Sequence, residues 1–151
     1  LAGQAVSLDG PTGETNTLIF APRGAVLGLA GSAEAWLHQL AAALATGNRL
    51  LLPDGANAEA WRPLVPSGVQ EWVERCLDAP ASPCAAVLVD FSEMELFARW
   101  RVVFAERAGP ILPFLAPSPA YSIERLIVER CVTVNTAATG GNAGLMRLGD
   151  A

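Results

Sequence analysis

Short apolar runs alternate along the chain with longer stretches that have the periodicity of helices. Four runs are predicted as strands within one sheet: Ala25–Ala30, Arg49–Leu52, Ala85–Val89 and Ile111–Leu115. Three stretches are predicted as helices, each with a serine N-cap: Ala33–Ala45 after Ser32, Ser67–Cys76, and Ser92 to Arg107 with Phe97, Trp100 and Phe104 on one face. Asn57–Pro66, which contains two prolines, is predicted as a loop. The alternation predicts an α/β fold, with a Rossmann-like parallel sheet, right-handed crossovers and flanking helices.

The two ends of the chain have different patterns. Leu1–Glu14 is rich in Gly, Pro, Ser and Thr and is predicted as an extended lead-in. Asn16–Ala21 alternates weakly and Val128–Asn135 alternates clearly, so both are predicted as strands at a sheet edge. Tyr121–Ile127 is predicted as a short helix. The Gly-rich tail, Thr136–Ala151, is expected either to fray or to dock on another surface.

Composition excludes several classes of function. The 151 residues are 52% hydrophobic and 17% charged, with a net charge of −5, which excludes intrinsic disorder. No apolar run approaches the roughly 18 to 20 residues that span a bilayer, and the acidic balance argues against nucleic acid as a partner. All 10 basic residues are arginine, so no mechanism that needs a lysine is available. Because the chain begins at Leu1 rather than Met, we expect it to be a fragment of a longer protein.

The nucleophilic and metal-binding residue types are few. Cys76, Cys84 and Cys131 are odd in number and lack CxxC spacing, so we predict buried structural thiols rather than disulfides or a zinc site. The one histidine, His38, falls in a predicted helix and is interpreted as a structural residue. Neither GxSxG nor HExxH occurs. We therefore predict no catalytic residue and no metal ligand in this chain.

A strand, a turn, a helix and a second strand ending in an acid follow the plan of a dinucleotide-binding unit. Here the glycines Gly24, Gly28 and Gly31 have the spacing GxxxGxxG, which is not the GxGxxG fingerprint, and Asp54 follows the second strand. One hypothesis is that Gly28, Gly31 and Asp54 bind NAD. The other, which we favour, is that the glycines let a strand and a helix pack closely and that Asp54 ends a strand.

The tail contains a candidate interaction segment. Thr133–Leu148 combines flexible Gly and Asn residues with apolar side chains, and such a segment can bond a partner through its backbone while apolar side chains fill pockets. The residues predicted to make these contacts are Asn135, Thr136, Gly140, Gly141, Asn142, Leu145 and Met146. The alternative is a disordered end.

Three stretches resemble known families. Leu40–Pro53 (LAAALATGNRLLLP) resembles the helix-to-strand passage of the aldehyde dehydrogenase cofactor domain. Glu124–Gly149 (ERLIVERCVTVNTAATGGNAGLMRLG) resembles the C-terminus of the proline utilization A family. These are long bacterial enzymes that join proline dehydrogenase to glutamate-semialdehyde (pyrroline-5-carboxylate) dehydrogenase. Gly10–Leu27 resembles the start of the same C-terminal domain, so the likeness covers nearly the whole chain.

The resemblance implies one aldehyde dehydrogenase-like domain over residues 1–151. It has a Rossmann part, a β-flap hairpin from strands near 16–21 and 128–135, and a terminal motif over 136–149. The implied role is non-catalytic: the domain supports the aldehyde dehydrogenase domain, pairs through its flap and lays its terminal segment over the substrate channel as a lid. Cys131 falls in the flap strand and is not expected to be a nucleophile.

Departures from the family pattern bear on cofactors. Family members that bind NAD have a lysine after the second strand, where this chain has Pro53, and a glycine in the turn that corresponds to Val89–Glu93. We therefore expect no cofactor in this chain, with FAD and NAD bound elsewhere in the parent protein. The expected partner is the aldehyde dehydrogenase domain of the parent chain or of a dimer mate, and a homo-oligomer is also considered. The implied location is cytoplasmic, with a parent able to associate peripherally with the inner membrane.

Overall fold

The chain forms two compact units. The structure, a computed structural model, describes residues 3–90 and 94–135. One unit comprises Leu1–Ala21 with Glu129–Ala151, and the other comprises Pro22–Val128. The strands are β1 (Ala5–Leu8), β2 (Glu14–Pro22), β3 (Ala25–Leu29), β4 (Arg49–Pro53), β5 (Val73–Cys76), β6 (Ala86–Val89), β7 (Phe114–Leu115) and β8 (Ile127–Asn135). The α-helices are α1 (Ala33–Ala45), α2 (Ala56–Trp61) and α3 (Met94–Ala105).

The larger unit is built on a five-stranded sheet in the order β5-β4-β3-β6-β7. Its strand pairs are parallel, and Val26 in β3 is paired with Leu50 on one side and with Ala86 on the other. The chain runs outward from β3 to β5 and then returns to place β6 beside β3, which makes the gap between β3 and β6 a topological switch point. The predicted α/β class and Rossmann-like sheet are confirmed.

Side chains on the two faces of this sheet form separate apolar clusters, because successive residues of a strand point to opposite faces. Val26, Leu50 and Leu88 face α1 and pack with Trp36 and Leu40. The residues between them in the same strands, Leu27, Leu51 and Val87, face the other way. Phe97, Trp100 and Phe104 pack on that second face, as their spacing predicted.

The predicted start of α1 is confirmed. Ser32 is its N-cap, and the Ser32 hydroxyl accepts a hydrogen bond of 3.1 Å from the backbone N–H of Ala35. This bond satisfies one of the N–H groups that a helix leaves unpaired in its first turn. The predicted cap of the third helix, Ser92, lies outside the described residues.

Four predicted elements were wrong in type or extent. Asn57–Pro66 is not a loop, because α2 and a 3₁₀ turn over Arg62–Leu64 occupy most of it. Burial of Ala58 and Trp61 stabilises α2, and the first proline comes only at residue 63, after the helix has ended. Ser67–Cys76 is not one α-helix. It is a 3₁₀ helix over Ser67–Trp72 followed by β5, where Val73 and Cys76 are buried and the residues between them are exposed.

The other two elements are shorter than predicted. The strand predicted over Ile111–Leu115 is reduced to β7, since Pro110 and Pro113 lack the N–H that a ladder needs. The helix predicted over Tyr121–Ile127 is a 3₁₀ turn over Ile123–Leu126. Within residues 3–90 and 94–135, no helix combines the length and the apolar character needed to cross a bilayer.

The smaller unit contains a three-stranded sheet in the order β1-β2-β8. Leu1–Glu14 is therefore not only an extended lead-in, because β1 pairs antiparallel with β2 from Ala5↔Ile19 to Leu8↔Asn16. Among the described residues, the strand predicted over Asn16–Ala21 is central rather than at an edge, whereas β8 is an edge strand as predicted. The hairpin is formed by β1 and β2, not by β2 and β8. Strands β2 and β8 come from opposite ends of the chain and are neighbours in the sheet. The Thr133 hydroxyl of β8 donates to Asn16 Oδ1 of β2 at 2.6 Å.

Candidate functional site

A cleft of about 330 Å³ opens at the carboxyl ends of β3 and β4. Its lining includes Gly28, Asp54, Asn57, Trp61 and Trp100. In open α/β sheets, ligands bind outside the carboxyl ends of the strands at the switch point. This cleft therefore lies where a dinucleotide-binding site would be expected. The fold thus brings two of the three candidate cofactor residues, Gly28 and Asp54, to one cleft. The third, Gly31, is exposed in the turn after β3 and is not part of the lining.

Gly28 is in close contact with α1 and β4. A β-carbon at this position would lie 2.7 Å from Oε1 of Gln39 and 3.1 Å from Cδ1 of Leu50. The first distance is shorter than a van der Waals contact allows. The geometry therefore gives Gly28 a role in helix–strand packing, in the way that the favoured hypothesis expects.

Gln39 and Tyr121 join the carboxyl ends of β3 and β6. The side-chain nitrogen of Gln39, which is fully buried, lies 3.0 Å from the carbonyl oxygen of Leu29, 3.3 Å from that of Leu88 and 3.1 Å from the Tyr121 hydroxyl. The Tyr121 hydroxyl in turn donates to the carbonyl of Val89 at 2.9 Å. Gln39 and Tyr121 therefore hydrogen-bond the backbone carbonyls at the ends of β3 and β6, beside the switch point.

Burial of these groups has electrostatic consequences. Desolvation raises the pKa of the Tyr121 hydroxyl above its ordinary value. The side-chain oxygen of Gln39 has no hydrogen-bond partner among the described residues, and it is the atom that approaches Gly28. Sequence analysis missed Gln39, although its spacing of three from Trp36 places a polar residue on the buried face of an apolar helix.

Asp54 is engaged by an arginine rather than free in the cleft. Arg75 in β5 donates to the Asp54 carboxylate, and its other terminal nitrogen lies 2.8 Å from Oε1 of Glu59. The hydrogen bond from Arg75 holds the pKa of the Asp54 carboxyl below its ordinary value. Because these side chains reach solvent, water screens the ion pair and it contributes little to the stability of the fold.

The residues present do not fit a dinucleotide. The chain has no lysine, and none of the described residues that line the cleft is a cation that could hold a pyrophosphate. Asp54, the one carboxylate among the described residues of the lining, is already ion-paired with Arg75. β4 ends at Pro53, the position at which a lysine would be expected in an NAD-binding member of the family. Of the Val89–Glu93 turn, residues 91–93 lie outside the described part of the chain.

The prediction of buried thiols is confirmed for two cysteines and wrong for the third. Cys76 and Cys84 are 5% and 7% exposed, and burial raises the pKa of the Cys84 thiol. Cys131 is exposed, because it lies in β8, whose residues from 129 to 135 are all exposed. His38 is exposed on α1. Within the ranges that the structure describes, no group of His, Cys, Asp or Glu could hold a metal ion.

The predicted interaction residues fall almost entirely outside the described part of the chain. Asn135 is the last residue of β8. The others, which are Thr136, Gly140, Gly141, Asn142, Leu145 and Met146, lie beyond residue 135, so their role stays a prediction.

The sheet order and switch point define the larger unit as a Rossmann-like α/β unit. No family model matches the chain. It is 39% identical to bifunctional protein PutA of Escherichia coli (strain K12) over 98% of its length, and 34% identical to bifunctional protein PutA of Rhizobium meliloti over 97%. The chain is therefore related, over nearly its whole length, to a part of proteins named bifunctional protein PutA, and the resemblance to the proline utilization A family is confirmed. It spans only 12% and 13% of the lengths of these relatives.

Solved structures give weaker likenesses. An NAD-dependent benzaldehyde dehydrogenase from Corynebacterium glutamicum is 15% identical, with a TM-score of 0.45 over 76% of this chain and 28% of that one. PnpE in complex with nicotinamide adenine dinucleotide is 12% identical, with a TM-score of 0.43 over 75% of this chain and 26% of that one. Likenesses at this level bear on neither activity nor ligand.

Proposed function

We propose that this chain is a non-catalytic structural and interaction domain of a bifunctional enzyme that oxidises proline to glutamate. It supports the aldehyde dehydrogenase domain of that enzyme, in the same chain or in a dimer mate. Residues 136–149 cover the substrate channel. The observation that carries the proposal is the relation to proteins named bifunctional protein PutA over 98% of this chain and 12% of theirs. In this proposal FAD and NAD bind in other parts of the parent, which is cytoplasmic.

The described residues support a scaffold rather than a cofactor site. Gly28 packs against Gln39, and Asp54 is ion-paired with Arg75, so the candidate cofactor groups already have intramolecular partners. Some large apolar side chains of the larger unit are also exposed, among them Met94 at 58%, Val102 at 62% and Ile111 at 97%. In the proposal, the parent's other domains cover part of this apolar surface.

Deletion of residues 135–151 from the parent enzyme tests the channel-covering role. We expect the deletion to lower aldehyde oxidation, or to let the intermediate escape into solution, while flavin-dependent oxidation of proline is unchanged. A matched control replaces residues 136–151 with a scrambled sequence of the same composition, which preserves length and charge. Coupled turnover at the rate of the unaltered enzyme in the deletion variant would contradict the proposal.

A second candidate function is NAD binding by the cleft. The position of the cleft at the switch point favours it, and so does a volume within the range of small-molecule sites. Binding would raise the melting temperature of the chain, by an amount that grows with cofactor concentration according to RT ln(1 + [L]/Kd). A melting temperature that does not change with NAD would exclude this candidate.

A third candidate, self-association, is favoured by the exposed edge of the smaller unit. Val132 and Val134 in β8 are 45% and 52% exposed, and an edge strand presents unpaired backbone groups. Sedimentation at several concentrations would give a mass that rises with concentration if the chain dimerises. A constant monomer mass would contradict it.

A further inference from the structure

The chain passes between its two units twice, between Ala21 and Pro22 and between Val128 and Glu129. Inside the larger unit, the residues next to these two crossings are bonded to each other. The backbone N–H of Arg23 donates to the carbonyl of Leu126 at 3.3 Å. The end of β2 and the start of β8 therefore leave the larger unit side by side.

The side chain of Asn48 bonds both of these segments. Its Oδ1 accepts from the backbone N–H of Gly24 at 2.9 Å, and its Nδ2 donates to the carbonyl of Leu126 at 2.8 Å. Both Asn48 and Leu126 are fully buried. One amide group thus links a residue just after the first crossing to a residue just before the second.

The turn that follows α1 fixes the orientation of this amide. Asn48 Nδ2 also donates to the Thr46 hydroxyl at 2.7 Å, and that hydroxyl donates to the carbonyl of Ala42 at 2.9 Å. The backbone N–H of Asn48 donates to the carbonyl of Ala43 at 2.9 Å. Because both nitrogen-bound hydrogens and the oxygen of the amide are used, the network is satisfied, and such buried networks specify a single arrangement.

We propose that Asn48 is a positioning residue that clamps the two crossings together. The proposal rests on the proposed function, in which the segment after β8 covers the substrate channel. With the clamp, the segment just after β2 and the segment just before β8 are held side by side within the larger unit. Without it, these two segments separate more easily, and the adjoining ends of β2 and β8 open more readily.

Hydrogen–deuterium exchange of the 151-residue chain tests the clamp. Asn48→Ala removes both bonds, and Asn48→Asp keeps the acceptor for Gly24 but lacks the hydrogens that bond Leu126. The matched control is Thr46→Val, which removes a buried polar group in the same turn and leaves both clamp bonds of Asn48 in place. We expect the amides of β2 and β8 in Asn48→Ala to exchange about tenfold faster relative to those of β3 and β6. Thr46→Val is expected to affect the two sheets equally.

A measurement on the unaltered chain keeps the test independent of whether the variants fold. Under low denaturant, the clamp predicts that the amide of Gly24, which bonds the Asn48 side chain, opens together with the amide of Asn48 itself, with the same dependence of exchange rate on denaturant. Separate opening of these two amides, or equal acceleration of both sheets in Asn48→Ala, would overturn the clamp and leave Asn48 an ordinary buried residue.

The clamp and the proposed function fail in different ways. If β2 and β8 loosen in Asn48→Ala while coupled turnover of the parent enzyme carrying that change is unaltered, the clamp stands and the channel-covering role is wrong. If the two strands do not loosen, the clamp is wrong whatever the turnover shows.

Discussion

The α-carbon of Gly28 in β3 lies against the side-chain oxygen of Gln39 in α1, so closely that a β-carbon would be 2.7 Å from that oxygen. The Gln39 side chain cannot move away without loss of hydrogen bonds, because its nitrogen donates to the carbonyls of Leu29 and Leu88. In a dinucleotide-binding turn, glycine gives the ligand room to approach the backbone. Here the same residue type, close to the same place in the fold, gives room to a helix.

Gly28→Ala is expected to destabilise the chain by about 1 to 3 kcal/mol, the usual cost of overpacking a buried site. The added methyl group forces Gln39 to shift, which breaks its bonds to the strand ends. Denaturant unfolding, monitored by tryptophan fluorescence, measures the change. The matched control is Gly68→Ala, because a β-carbon at Gly68 meets nothing within 4 Å. Equal stability of the two variants would contradict the packing role of Gly28.

Tyr121→Phe is expected to lower stability by about 1 to 2 kcal/mol at neutral pH, because it leaves the carbonyl of Val89 without this donor. The same variant changes the response to high pH. Burial raises the pKa of Tyr121 in the folded chain. The unfolded chain therefore loses its tyrosine proton first, at pH near 10, and stability falls from there as the pH rises towards the folded value.

Unfolding from pH 8 to 11 measures this dependence. The stability advantage of the unaltered chain over Tyr121→Phe is expected to be constant below about pH 9 and to shrink above about pH 10. An advantage that stays constant, or grows, across that range would show that the hydroxyl is not buried as described.

Thiol reactivity is expected to separate the three cysteines. Cys131 is exposed, whereas Cys76 and Cys84 are buried and burial raises the pKa of Cys84. An aromatic disulfide reagent at pH 8 should label one thiol quickly in the folded chain and all three after denaturation. Cys131→Ser should remove the fast phase and leave the slow ones. Fast labelling of Cys131→Ser would contradict the burial of the other two.

The inner strands of the five-stranded sheet were predicted from the sequence, whereas the edge strands β5 and β1 were not, for physical reasons. Strands such as Ala86–Val89 are buried on both faces, so they are apolar throughout and easy to recognise. Edge strands carry less information. In β5 the residues Val73 and Cys76 are buried and the two between them are exposed, a spacing of three that also fits a helix. β1 is exposed along its whole length, and its alternation of Val6 and Leu8 is too short, within a segment rich in Gly, Pro, Ser and Thr, to predict a strand.

The candidate site was predicted only in part. Asp54 was placed correctly after β4, because the end of that strand follows from the apolar pattern, whereas Gly28 lies within β3 rather than in the turn that follows it. Their partners were not predictable, since Arg75 is 21 residues from Asp54 and Tyr121 is 82 residues from Gln39 in sequence. Contacts across such separations depend on strand order, which the local pattern does not encode.

Calorimetric titration of NAD⁺ into this chain tests most directly whether the larger unit is a scaffold or a cofactor site. The account predicts no heat of binding up to millimolar NAD⁺, because Asp54 is bonded to Arg75 and the described part of the cleft lining offers no cation to a pyrophosphate. Arg75→Ala, which frees Asp54, is the companion variant and should also give no heat. Micromolar binding by the unaltered chain would contradict the account and make the cleft a cofactor site.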